Sequence, residues 1–355
     1  MYTGLVKRRG ELALLAATLT LFLLGLGGLE VFARSRPDQT DPNAESINDQ
    51  HVYSEAYGWR PSPGAWVEDG GRRVTINRWG FRGGEVPRAR SPGQGRVLVL
   101  GDSIAFGLRV DDAQSFAGQL SQKQVETLNL AVQGFGPDQS LLRLEQEGLA
   151  WRPDLVVMAI CLDNDFVDVM LPVFLYDGEH RKPFFRLEQD QLVLHNRHLR
   201  LSFRQRLGVS LVRNSAAARW LLSPVLMPPV KKARSWHERK RDALRKPRDN
   251  RALTARLLSR MRDDAAGQGA RLLVLLFPSR DSWKSNRWSR SLLEAPQLAG
   301  VEVVEMAREY QRRGLGYDDV AFDGIGHLTP LGHRVAAELI VEKLSAVPQR
   351  SGGAS

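Results

Sequence analysis

The segment RVLVLGDSIAFG, residues 96–107, decides the fold of this chain. It begins with a nearly continuous apolar run, which is typical of a strand buried in a parallel sheet. Gly101, Asp102 and Ser103 end the run, and the small apolar residues that follow favour the start of a helix. Ser103 therefore lies where a strand meets a helix. A serine in that position is either a nucleophile or a helix N-cap, because Asp and Ser are both favoured as caps for backbone reasons.

The alternation of strand and helix continues along the chain. Further apolar runs predict strands over residues 125–132, 154–162, 270–278 and 301–306. The segments between and after them predict helices over residues 113–124, 138–151, 252–269 and 330–346. Buried strands that alternate with helices predict an α/β fold whose parallel sheet is covered on both faces. Residues 166–250 interrupt this alternation, and we interpret them as a lid or insertion that is partly helical.

Residues that can take part in catalysis follow the predicted strands. Ser103 follows the first strand, Gly134 the second and Asn164 the third, while Asp323 and His327 precede the last helix. In open α/β sheets, ligands bind at the carboxyl ends of the strands. We therefore expect the sheet to bring all five residues to one edge.

These residue types suit acyl transfer. A serine hydroxyl becomes a nucleophile when a base takes its proton, and the neutral imidazole of His327 is such a base. Asp323 would hold the other imidazole nitrogen. The oxyanion of a tetrahedral intermediate needs fixed donors, which the backbone N–H groups of Ser103 and Gly134 and the Asn164 amide would supply.

The short segments that contain these residues resemble, in their order along the chain, the four conserved sequence blocks of the SGNH (GDSL-like) hydrolase superfamily. The four letters of that name correspond here to Ser103, Gly134, Asn164 and His327. The likeness spans residues 96–345, and the preceding INRWGFRGGE also resembles membrane-anchored bacterial members. The resemblance implies a flavodoxin-like three-layer α/β/α fold with no metal and no cofactor. It also implies ester hydrolysis or acyl transfer, often on O-acetylated sugars.

Two positions depart from the family pattern. Asp323 lies four residues before His327 instead of three, and Leu162 occupies a position that is usually glycine. If Asp323 is out of reach, Ser103 and His327 would act as a dyad, with a backbone carbonyl or water at the imidazole. The alternative function is a non-catalytic glycan-binding or scaffold protein of a polysaccharide system. The sequence leaves open whether water or a sugar hydroxyl accepts the acyl group.

The N-terminus predicts a membrane anchor. Lys7, Arg8 and Arg9 precede an uncharged apolar stretch over residues 12–29. About 18 apolar residues is close to the minimum for a membrane-spanning helix, and basic residues before it favour a cytoplasmic N-terminus. The remainder would then be extracytoplasmic, either periplasmic or at the cell surface. A cleaved signal peptide is the alternative.

Composition limits the partners. The chain of 355 residues has a formal net charge of +10, and residues 231–251 contain ten basic and three acidic residues. This run is either a solvated face or a contact for anionic headgroups or an acidic glycan. No nucleic-acid-binding motif is present, so nucleic acid is not expected as a partner. Cys161 is the sole cysteine, which excludes a disulfide within the chain.

The patterns together predict five segments. They are a cytoplasmic tip and transmembrane anchor (1–33), a linker (34–50), a β-rich lead-in (51–95), a catalytic domain (96–348, with the insertion 166–250) and a disordered tail (349–355).

Overall fold

The computed structural model describes most of the chain, namely residues 2–35, 51–61, 63–68, 71–175, 181–197, 217, 238, 240–241, 247–285 and 287–345. The chain forms two compact units. The first comprises residues 1–45 and 200–232, and the second comprises residues 46–199 and 233–355.

The first unit contains a long N-terminal helix, α1 (Tyr2–Ser35). Its stretch Leu15–Phe32 is long and apolar enough to cross a membrane, and no part of that stretch is buried. Glu30 Oε2 accepts a hydrogen bond of 3.0 Å from the backbone N–H of Ala217. Helix α1 extends two residues into the predicted linker, and the first proline of the chain, Pro37, lies just beyond its end.

The second unit is built on a five-stranded parallel sheet. Its strands are β5 (Arg96–Leu100), β6 (Glu126–Asn129), β7 (Leu155–Cys161), β10 (Arg271–Phe277) and β11 (Glu302–Glu305). They lie in the order β11-β10-β7-β5-β6, and each neighbouring pair is parallel. Numbered by their succession along the chain, this is the order 2-1-3-4-5 of flavodoxin-like folds. The predicted α/β fold with a parallel sheet is confirmed.

Helices cover both faces of this sheet. The described helices of this unit are α2 (Ser103–Phe106), α3 (Phe116–Gln122), α4 (Pro137–Arg143), α5 (Asp165–Asp168), α6 (Pro247–Gly267), α7 (Arg280–Lys284), α8 (Arg287–Leu293), α9 (Met306–Arg312), α10 (Tyr317–Val320) and α11 (Pro330–Ser345). Alternate residues of β5 enter separate cores: Leu98 and Leu100 pack with α4 and α6, and Val97 and Val99 pack with α3 and α11. A strand buried on both faces is apolar at successive positions, which is why β5 reads as a continuous run.

Two antiparallel hairpins precede the sheet. Strand β1 (His51–Ser54) pairs with β2 (Gly58–Pro61), and β3 (Gly64–Glu68) pairs with β4 (Arg72–Ile76). A third hairpin, of β8 (Phe184–Glu188) and β9 (Gln191–His195), lies inside the predicted insertion and was not predicted.

Several predicted segments fall on residues that are not described. Most of the basic run 231–251, residues 36–50 of the predicted linker and the predicted tail 349–355 lie outside the described residues.

Candidate active site

The turn between β5 and α2 presents Ser103 at the carboxyl edge of the sheet. Gly101 adopts a φ of +141°, and a Cβ there would lie 2.8 Å from the Ala159 carbonyl oxygen, so the turn requires glycine. Asp102 is the N-cap of α2, and its Oδ1 accepts the Ile104 N–H at 2.9 Å. Because Asp102 performs the capping, the Ser103 hydroxyl is available for another contact.

That contact is with His327. Ser103 Oγ lies 2.9 Å from His327 Nε2, although the two residues are 224 positions apart in the sequence. His327 is 3% exposed, so its ring orientation is fixed by packing. The geometry places an acceptor nitrogen within hydrogen-bonding distance of the serine hydroxyl.

Asp323 contacts the opposite nitrogen of the same ring. Asp323 Oδ2 lies 2.7 Å from His327 Nδ1. Its Oδ1 accepts the backbone N–H groups of Ile325, Gly326 and His327 at 3.1, 3.0 and 3.3 Å. The loop thus folds around the carboxylate, and this accommodates the four-residue spacing. Gly326 allows the turn with a φ of +113° and a close approach to Pro278.

These hydrogen bonds keep Asp323 ionised. Burial acts to raise the pKa of this carboxyl group, but the hydrogen bond and charge interaction with His327, together with the backbone N–H groups, outweigh it. The pKa of Asp323 therefore lies well below its usual range. A permanently charged carboxylate at Nδ1 favours the tautomer in which Nδ1 carries the proton and Nε2 accepts.

Two backbone donors that follow β5 and β6 have no hydrogen-bond partner among the described residues. The N–H groups of Ser103 and Gly134 make no hydrogen bond to any residue that the structure describes. Gly134 has a φ of +73°, and a Cβ there would lie 2.0 Å from a Phe174 ring carbon. Glycine is therefore required at this position for both conformation and space.

The Asn164 amide faces a group of buried carboxylates. Its Nδ2 donates to Asp168 Oδ2 at 2.8 Å, and Asp102 Oδ2 and Asp165 Oδ1 each lie at 3.3 Å. Its Oδ1 is buried without a hydrogen-bond partner among the described residues. Because the nitrogen has two hydrogens, the contact with Asp168 engages one of them and leaves the other in weaker contacts.

A further buried carboxylate, Asp138, has an ammonium group as its partner. Asp138 is fully buried and pairs with Lys182 Nζ at 2.5 Å. Burial raises the pKa of Asp168 to about 7, and it raises the pKa of Asp165 well above its usual range. Burial without enough cations therefore keeps part of this group protonated near neutral pH.

Two other residues with reactive side chains have structural positions. His333 is fully buried, its Nδ1 accepts the Phe116 N–H at 3.2 Å, and burial lowers its pKa to about 3. Cys161 is buried in β7, and burial raises the pKa of its thiol well above the usual value. Neither residue contacts Ser103. Among the described residues, no group of three or more His, Cys, Asp or Glu side chains is arranged to hold a metal ion.

Sequence reasoning did not single out Arg109, which contacts Asp323. Arg109 Nη1 lies 3.3 Å from Asp323 Oδ2. No motif or periodicity marks Arg109, and the contact depends on a loop conformation that the sequence pattern does not reveal.

Comparison with known proteins gives the following similarities. No protein-family model matches the chain. A curated relative, the glycogen synthase of Marinobacter nauticus, is 34% identical over 114 residues, and the match covers 32% of this chain. The matched region spans 22% of the length of that relative.

Among solved structures, the chain is similar to LAE5, an alpha/beta hydrolase from the metagenome of Lake Arreo. The two sequences are 12% identical, the match covers 73% of this chain and 99% of LAE5, and the TM-score is 0.39. It is also similar to the acetylxylan esterase Axe2 of Geobacillus stearothermophilus, with 11% identity and a TM-score of 0.39. That match covers 74% of this chain and 99% of Axe2. A GDSL-like lipase from Bacteroides thetaiotaomicron is 12% identical to this chain, with a TM-score of 0.38. The match covers 70% of this chain and 87% of the lipase. SGNH and GDSL-like hydrolases are thus among the structures to which this chain is similar.

Proposed function

We propose that this chain is an SGNH-type serine enzyme that cleaves or transfers acyl esters through a Ser103–His327–Asp323 triad. The observation that carries the proposal is the pair of contacts at His327: 2.9 Å from Nε2 to the Ser103 hydroxyl and 2.7 Å from Nδ1 to Asp323. A buried imidazole between a serine and an ionised carboxylate is the arrangement that activates a serine.

The first half-reaction forms an acyl-enzyme. Ser103 Oγ attacks the ester carbonyl carbon while His327 Nε2 takes the hydroxyl proton, and Asp323 stabilises the resulting imidazolium. The carbonyl oxygen becomes an oxyanion near the unpartnered N–H groups of Ser103 and Gly134. When the C–O bond of the ester breaks, His327 returns the proton to the leaving alkoxide, which departs as an alcohol.

Asn164 would be the third oxyanion donor. One of its amide hydrogens donates to Asp168 at 2.8 Å, which fixes the amide, and the second, which makes weaker contacts here, would donate to the oxyanion. In the second half-reaction, water or a sugar hydroxyl gives its proton to His327 and attacks the acyl carbon. The product is the free acid or a new ester, and Ser103 regains its proton.

We further propose that α1 anchors the enzyme in a membrane with the catalytic unit on the extracytoplasmic side. The apolar stretch Leu15–Phe32, in which Glu30 is the one charged residue, supports this, as do the three basic residues at positions 7–9. An envelope or extracellular glycan that carries acyl, especially acetyl, esters is the substrate class we expect from the motif resemblance and from this location.

Labelling with a fluorophosphonate probe tests the function. The full-length protein in detergent should react with the probe and hydrolyse p-nitrophenyl acetate, and Ser103→Ala should abolish labelling. Ser121→Ala, which removes an exposed hydroxyl on α3, is the matched control and should label like wild type. Failure of the wild-type protein to label and to cleave any acyl ester would overturn the proposal and favour a non-catalytic glycan-binding role.

A further inference from the structure

Arg109 adopts a backbone conformation that arginine rarely adopts. It lies in the loop after α2, and its φ is +71°. Six non-glycine residues have a positive φ in the described part of the chain, and Arg109 is the one among them that contacts the triad. Strained backbone of this kind persists where the surrounding structure imposes it, and it is concentrated at functional sites.

Most N–H donors of the Arg109 guanidinium group make no hydrogen bond to the described residues. Its ion pair with Asp323 Oδ2 at 3.3 Å is the one hydrogen bond or ion pair that it makes with the described residues. A guanidinium group has five N–H donors in a planar fork. The side chain is 42% exposed, so several of these donors are open to solvent beside the triad.

Nearby acidic residues have other partners. Asp111 Oδ1 accepts the backbone N–H of Arg73 at 2.6 Å, and Asp112 pairs with the buried Arg82 at 3.1 Å. The Asp323 charge is already shared with the imidazole and three backbone N–H groups. No other described carboxylate neutralises Arg109, so the loop holds a cation at the edge of the reacting centre.

We propose that Arg109 determines specificity by binding a carboxylate group of the substrate, so that the preferred ester is carried by an acidic sugar such as a uronic acid unit. This inference rests on the proposed function of the site. A carboxylate matches the planar fork of the guanidinium group in two parallel hydrogen bonds. Arg109 is linked to Ser103 through Asp323 and His327, by contacts of 3.3, 2.7 and 2.9 Å, so a sugar whose carboxylate is bound there would present an ester on one of its hydroxyls to Ser103.

The test compares two matched esters. Methyl glucuronoside and methyl glucoside, each with one acetyl group on the same hydroxyl, differ at C6 alone. The readout is the ratio of their kcat/KM values with the full-length enzyme in detergent. Arg109→Asn removes the guanidinium group and tolerates a positive φ, and Arg109→Lys retains the charge without the fork.

We expect the wild-type enzyme to prefer the glucuronoside about tenfold or more at low salt, the scale of a hydrogen bond between charged groups. The preference should fall to about one in Arg109→Asn, be intermediate in Arg109→Lys, and weaken as salt is added. An equal kcat/KM for both esters in the wild type would overturn the inference. So would a ratio that Arg109→Asn leaves unchanged, because Arg109 would then only hold Asp323 in place. Either result leaves the proposed function intact, whereas a wild-type enzyme that cleaves neither ester and rejects the fluorophosphonate probe contradicts the function itself.

Discussion

Replacing Asp323 with Asn is a sharp perturbation, because the structure fixes which way the new amide must face. Oδ1 of Asp323 accepts three backbone N–H groups at 3.0 to 3.3 Å. An amide oxygen can take that place, whereas an NH₂ group there would face three donors. The NH₂ group must therefore point to His327 Nδ1, where the wild-type protein has a carboxylate oxygen at 2.7 Å.

This orientation inverts the protonation of the imidazole. His327 Nδ1 must become an acceptor, so the ring proton moves to Nε2, the nitrogen that has to accept the proton of Ser103. In a well-studied triad, the same change lowers turnover by about 10⁴-fold without changing the geometry. We expect a loss of the same order here, equivalent to about 5.5 kcal/mol of transition-state stabilisation.

Initial rates of p-nitrophenyl acetate hydrolysis at neutral pH measure this loss, and thermal unfolding of the same samples shows whether the fold survives. Asp318→Asn is the matched control, because the Asp318 side chain is 79% exposed and pairs with Arg280. The control should retain wild-type activity. If Asp323→Asn kept more than a tenth of the wild-type rate with an unchanged melting temperature, the triad would be refuted and a Ser103–His327 dyad favoured.

Three further outcomes are expected. Asn164→Ala should lower kcat by about 10²- to 10³-fold with a smaller effect on KM, as loss of an oxyanion donor does; a loss below threefold in steady-state rates would remove Asn164 from the oxyanion hole. Because burial raises the pKa of Asp168 to about 7, the folded protein keeps a proton that the unfolded chain, with a pKa of about 4, has released. The free energy of unfolding should therefore fall as pH rises from about 4 to about 7, and Asp168→Asn should flatten this slope in urea titrations, which an unchanged slope would contradict. Protease added to spheroplasts should digest a C-terminal tag on the full-length protein, whereas a protected tag would place the catalytic unit in the cytoplasm.

The sheet and the residues at its edge were predictable because their signals are local. A strand that is covered on both faces is apolar at successive positions, so β5 and β7 can be recognised in the sequence as apolar runs. Because ligands bind at the carboxyl ends of the strands in such sheets, residues separated by more than two hundred positions could be assigned to one site. Even the unusual spacing between Asp323 and His327 did not prevent their contact.

Other features depend on long-range packing and have no local signal. The predicted helix over residues 138–151 ends as α4 at Arg143, and a π-helical turn, Leu144–Gly148, follows. Gly148 there packs so closely on β5 that a Cβ would lie 2.8 Å from Leu98. Lys182 is likewise an ordinary lysine in the sequence, and only the folded structure shows that it is buried and paired with Asp138.

The separation of 224 residues between Ser103 and His327 has a consequence for the timing of biosynthesis. At about 5–20 residues per second, roughly 10–45 s pass between synthesis of the serine and synthesis of the histidine. During that interval the nascent chain contains Ser103 without its partner His327. On the proposed mechanism, a chain that ends before His327 lacks the general base, and esterase activity would begin only after the last strand and helix have joined the sheet.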